Sequence, residues 1–133
     1  MSVGILIITH GETAQQLIQT ATSTLGGQLP LDCRALSVSP TCDRDDSLKK
    51  AESLVNELMT EDGILILTDI YGATPSNIAN HFEQLENISV IAGLNLPMLI
   101  RVLNYPNLSL EEMTEKALSG GRDGIILCDK GQS

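Results

Sequence analysis

Val3-Gly4-Ile5-Leu6-Ile7-Ile8-Thr9-His10-Gly11 decides how this chain is read. From Val3 to Ile8 the side chains are aliphatic except at Gly4, with no polar alternation and too little length for a helix. That is the pattern of a strand covered on both faces, as in a parallel sheet. The run ends on a histidine, and the glycine after it lets the backbone turn and leaves one side of the imidazole uncovered. His10 therefore belongs at a rim, not in a core.

Outward from this strand the same pattern recurs at Ile64–Leu67, Ile88–Ala92 and Ile125–Cys128, with a weaker candidate at Arg34–Val38. Between the runs lie segments of helical period: Ala14/Leu17/Ile18/Ala21/Leu25, then Leu48/Ala51/Val55/Leu58/Met59, then Ile78/Ala79/Phe82. Alternation of strand and helix predicts a single α/β domain over residues 1–133, with a mostly parallel open sheet and helices on both faces. Ser109-Leu110-Glu111-Glu112 has the form of a capping box opening a last helix, and Gly120-Gly121 reads as its stop. The closing run after Gly124 reads as an antiparallel edge strand or as one that pairs with another subunit.

Composition narrows the functional classes. The chain has 133 residues, 42% of them hydrophobic, no Trp and a formal charge of −9. Such a balance, without a Lys/Arg cluster, excludes nucleic acid and anionic membranes as natural partners. The apolar opening is too short to span a bilayer and has no basic segment before it, so no membrane insertion and a cytoplasmic location are expected. Cys33, Cys42 and Cys128 form no CxxC pair and leave an odd count, which suits a reducing compartment and offers no metal-ligand spacing. Neither nucleotide-binding glycine motif is present, so no cofactor is expected.

In an open parallel sheet, ligands bind beyond the carboxyl ends of the strands. Three strand exits stand out: Thr9-His10-Gly11, then Asp69 through Asn77, then Gly93-Leu94-Asn95-Leu96-Pro97. A carboxylate at Asp69 could hold one ring nitrogen of His10, leaving the other as a nucleophile and offsetting the charge that develops on the ring. Read alone, Asp69 is also an ordinary turn residue, and His10 an ordinary hydrogen-bonding histidine. Thr74-Pro75 reads as an N-cap with proline in the first turn, where backbone N–H groups and a hydroxyl could meet a phosphoryl group. Gly11, Gly72, Ala73 and Thr74 are the candidate phosphoryl-binding residues, with His10 and Asp69 the candidate catalytic pair. Asn95 and Pro97 read as a turn and helix start or as a partner contact, and His81 as structural or solvated.

Ile7-Ile8-Thr9-His10-Gly11, Leu67 through Asn77, and Ala92 through Leu99 together resemble the mannose-type IIA domains of the bacterial sugar phosphotransferase system. The resemblance spans nearly the whole chain, with Ala73 standing where glycine is usual. It implies that His10 accepts a phosphoryl group from the phosphohistidine of the carrier HPr and donates it to a IIB domain or a regulatory target. It further implies that Asp69 orients His10, that Thr74 contacts the phosphoryl group, and that a homodimer exchanges the last strand, Ile125–Cys128. No IIB portion is expected within these residues.

A second likeness pulls elsewhere. Thr9-His10-Gly11-Glu12-Thr13 is similar to the R-H-G-E-T opening of histidine phosphatases, but Thr9 replaces the arginine that such an enzyme needs as a phosphate clamp. A non-catalytic binding module is the remaining class; intact His10, Asp69 and Thr74 speak against a dead site.

Overall fold

The computed structural model describes residues 2–129. Four strands, β1 (Gly4–His10), β2 (Cys33–Val38), β3 (Ile64–Thr68) and β4 (Ile88–Ala92), form one parallel sheet in the order β2-β1-β3-β4. Five helices connect and flank them: α1 (Thr13–Thr24), α2 (Arg44–Leu58), α3 (Thr74–Asn80), α4 (Leu96–Leu103) and α5 (Leu110–Asp123). The expected α/β architecture, with a parallel sheet between two helical layers, is what the chain adopts.

Strand parity sorts the core. Val3, just before the first strand, and Ile5 and Ile7 within it face the layer of α1, α4 and α5, together with Leu65, Leu67 and Ile91. Leu6 and Ile8 face α2 and α3, with Leu36, Val38, Ile64 and Ile66. Ile5, Leu6, Ile7 and Ile8 have no exposed surface. Burial on both faces removes about 2 kcal/mol of unfavourable hydration per such side chain, which is why β1 sits at the centre of the sheet.

The helices carry their own signals. Asp43 caps α2 by accepting from the Asp45 N–H at 2.9 Å. The capping box of α5 forms as read, with the Ser109 hydroxyl accepting from the Glu112 N–H and the Glu112 carboxylate from the Ser109 N–H. Helix α1 has no side-chain cap from Glu12; the hydroxyl of Thr9, at the end of β1, accepts the Ala14 N–H at 2.8 Å instead.

Three expectations are corrected. Gly120-Gly121 does not stop the last helix, which runs through to Asp123. These glycines make room: a Cβ at Gly120 would meet the Cβ and Cγ of Arg101, and one at Gly121 the Cε of Met98 at 2.8 Å, so α5 packs closely on α4. Thr74 is not an N-cap; α3 begins with it, Ala73 holds the cap position, and no side-chain capping bond forms. Finally, among the described residues Ile125–Cys128 adds no antiparallel edge strand to the chain's own sheet, which leaves the alternative of pairing with another subunit. Ile125, Ile126 and Leu127 are instead 78%, 65% and 73% exposed.

Candidate functional site

The strand order places β1 between β2 and β3, and the helices that follow β1 and β3 lie on opposite faces of the sheet. The two connections part company there, opening a crevice at the carboxyl edge. His10 is the last residue of β1 and Asp69 the first beyond β3.

The two side chains meet. One oxygen of Asp69, Oδ2, lies 2.9 Å from the His10 backbone nitrogen and 2.9 Å from its ring Nδ1. The other oxygen accepts the Ile70 N–H at 2.9 Å. Partial burial alone would raise the Asp69 pKa, but the hydrogen bonds from His10 and Ile70 outweigh it and hold the carboxyl below its ordinary range. An ionised carboxylate only accepts, so Nδ1 carries the proton, and Nε2 of the neutral ring keeps its lone pair. The His10 side chain is 46% exposed against 17% for Asp69, so the ring stands open to solvent while its holder is largely covered.

Around the pair, Gly11 adopts φ +51° and its N–H donates to the Val38 carbonyl at 3.1 Å. Gly11 thus supplies a turn and open space, with its N–H already engaged. Gly72, at φ +87° with nothing near its Cβ position, lets the loop after Asp69 fold back. The Ala73 N–H donates to the Ile70 carbonyl, whereas among the described residues no acceptor faces the N–H groups of Gly72 and Thr74. Thr74 is exposed and lines a cavity of about 370 Å³ together with His10, Val38, Ser39, Pro40, Cys42 and Arg44.

The third exit does not join the site. Asn95 caps α4 by accepting from the Met98 N–H and donates its amide to the Gly121 carbonyl at 3.0 Å, which makes it a tie between α4 and α5. Pro97 follows it in the first turn of α4. His81 lies just past α3, exposed, with its ring edge-on to Phe82. Thr9, where a histidine phosphatase would carry arginine, is buried and occupied with capping α1. Burial and the Asp32 charge push the Cys33 thiol up to about 12, away from the thiolate form that reacts.

Sequence reasoning passed over the exit of β2, from Ser39 to Arg44, which forms one wall of the cavity beside His10. The signal was present: a strand running parallel beside β1 ends at the same edge, and Asp43 before a helical pattern marks where the next helix starts.

The fold and the site define a parallel α/β domain that presents a carboxylate-held histidine at the switch point of its sheet. A family model described as "PTS system fructose IIA component" matches residues 4–118, and the chain belongs to that family, the mannose-type IIA components of the phosphotransferase system. The PTS system mannose-specific EIIAB component of Escherichia coli (strain K12) is 33% identical over 128 residues, covering 94% of this chain and 39% of that protein. The chain therefore spans well under half the length of that relative. The PTS system fructose-specific EIIA component of Bacillus subtilis (strain 168) is 27% identical over 84 residues, 62% of this chain and 58% of that protein. Among solved structures, the mannose/sorbose specific IIA subunit from Enterococcus faecalis superposes with a TM-score of 0.88 at 22% identity, covering 100% of this chain and 99% of that one. The IIA protein associated with the fucose utilization operon of Streptococcus pneumoniae gives a TM-score of 0.74 at 26% identity, over 90% and 93% of the two chains. Among the described residues no helix is long and apolar enough to cross a membrane.

Proposed function

We propose that this chain is a cytoplasmic phosphoryl carrier that takes a phosphoryl group from the phosphohistidine of HPr onto Nε2 of His10 and passes it to a IIB domain. The purpose is sugar uptake or regulation that depends on the phosphorylation state. The observation that carries the reading is the shared Asp69 oxygen, which fixes the ring against its own backbone and turns Nε2 outward.

In the proposed step the Nε2 lone pair of neutral His10 forms a new N–P bond as the donor's N–P bond breaks. The electron pair of the broken bond returns to the donor imidazole, and no proton needs to change hands. Positive charge grows on the His10 ring, and the ionised Asp69 beside Nδ1 offsets it. An open, exposed histidine suits a substrate that is itself a protein, since two folded surfaces must bring their rings into line. The N–H groups of Gly72 and Thr74 and the Thr74 hydroxyl are the donors available to the phosphoryl oxygens; Gly11 and Ala73 shape the loops that bring them near. We also assign the chain to a homodimer, supported by the exposure of Ile125, Ile126 and Leu127, a contiguous apolar run that a second copy would cover. Light scattering on the purified chain tests that assignment, and a monomeric mass at micromolar concentration rejects it.

The deciding experiment is incubation with phosphoenolpyruvate, Enzyme I and HPr, followed by intact-mass analysis and an acid-lability test. One acid-labile phosphate is expected on the wild-type chain and none on His10→Ala, whose exposed site leaves the fold undisturbed. Failure of the wild-type chain to label from a competent donor rejects the carrier reading.

A further inference from the structure

The cavity beside His10 is walled on its far side by the turn between β2 and α2, which the reaction described so far does not use. Its polar lining is uneven. The Ser39 hydroxyl is engaged with that of Thr41 at 3.1 Å, and the Thr74 hydroxyl has no partner among the described residues. Arg44 is the one cation among the lining residues. It opens α2, with Asp43 before it and Asp45 and Asp46 after it, yet it forms no ion pair or hydrogen bond with any described residue.

Its placement runs against local preference. The first turn of a helix carries the positive end of the dipole, where Asp45 and Asp46 are favourable and a cation is not. An exposed arginine there, with no ion pair among the described residues and lining the same cavity as His10, is free to meet an anion. The transfer supplies one. A phosphoryl group on Nε2 would bring up to about two negative charges next to the Asp69 carboxylate, in a chain whose formal charge is already −9. Repulsion on that scale favours leaving the group on the donor unless a cation answers it.

We propose that Arg44 is the phosphoryl clamp of this site, binding the transferred oxygens from the β2–α2 side while the Gly72–Thr74 loop meets them from the other. The inference rests on the carrier reading and adds a catalytic residue to it. Arginine suits the task because its planar fork offers several donors to one phosphoryl group and stays charged at any working pH. The N–P bonds made and broken remain those already described; Arg44 exchanges no proton, and its charge lowers the energy of both the transition state and the phosphorylated form.

The test compares wild type, Arg44→Gln and Arg44→Lys in two measurements. One is the rate of labelling from phosphorylated HPr. The other is the equilibrium distribution of phosphate between HPr and this chain, followed with the phosphorus chemical shift of the phosphohistidine. Arg44→Gln should slow labelling about tenfold and shift the equilibrium toward HPr by a similar factor, and Arg44→Lys, which keeps the charge but not the fork, should recover part of both. Unchanged rate and equilibrium in Arg44→Gln, with His10 labelling normally, overturn the clamp but leave the carrier. A loss that lysine does not recover, accompanied by a lowered unfolding midpoint, marks Arg44 as structural and overturns the clamp as well. A wild-type chain that never labels removes the carrier reading and the clamp together.

Discussion

The two faces of the sheet are built from alternate residues of the same strands, and they end differently at the carboxyl edge. On the face of α1, α4 and α5 the edge is sealed: Thr9, the last residue of β1 pointing that way, has no exposed surface and its hydroxyl caps α1. On the face of α2 and α3 the edge is open: His10, one residue further on, is 46% exposed and lines a cavity between the two helices' first turns. Adjacent residues thus have opposite fates because side chains alternate across a strand. A polar group at a strand end becomes structural where a helix closes over it, and chemical where the helices stand apart.

The sharpest way to break this contrast acts on the open side. Asp69→Asn keeps the size of the side chain but cannot offset a growing imidazolium, and phosphoryl transfer to His10 should slow about a hundredfold in a folded protein. Rates within twofold of wild type would remove the orienting role. The same variant has a signature in acid. Because hydrogen bonds lower the Asp69 pKa in the folded state, its contribution to stability is complete above the unfolded value of about 4 and fades as pH falls through the folded value. Urea titrations should therefore show wild type and Asp69→Asn converging below that pH; a gap that is constant with pH contradicts the linkage.

A change on the sealed side should do the reverse. Gly120→Val drives side-chain atoms into Arg101 across the α4–α5 seam and should cost about 2 kcal/mol in urea denaturation, with labelling of the folded fraction unaltered. Equal stability would mean that the seam yields more readily than its packing indicates. The smallest effect belongs to Thr68, on the open face of β3, whose hydroxyl is buried without a partner among the described residues. Thr68→Val removes a desolvated polar group at nearly constant shape and should leave the unfolding free energy within about 0.5 kcal/mol of wild type, or raise it. A clear loss would show that the hydroxyl is satisfied in solution.

How much of this could be read beforehand follows the same division. Buried inner strands announce themselves, and β1 and β3 were legible because both faces demand aliphatic side chains; β4, at an edge and partly half-buried, was legible from its short apolar run. His10 and Asp69 were legible as a pair because each interrupts such a run at its end. The edge strand β2 gave a fainter pattern, with several half-buried positions, so the turn that follows it and the Arg44 it carries were passed over. Glycine misled at Gly120-Gly121, where it permits two helices to touch; contact between distant segments leaves no local mark that separates this use from a helix stop. The run Ile125–Cys128 has strand composition but no neighbouring strand in the described residues, since pairing depends on what lies alongside. Thr74 looked like a cap by residue type, and only the backbone assigns that position to Ala73.

The backbone at His10 is fastened on both sides, by its own N–H to Asp69 and by the next N–H to Val38. For a carrier this has a consequence in traffic rather than chemistry. Under the proposed carrier role, a nucleophile already set and already open to its visitor would need no gate to swing, and loading and unloading would proceed as fast as donor and acceptor arrive and depart. Throughput in that role would follow the abundance of those proteins and the viscosity of their surroundings.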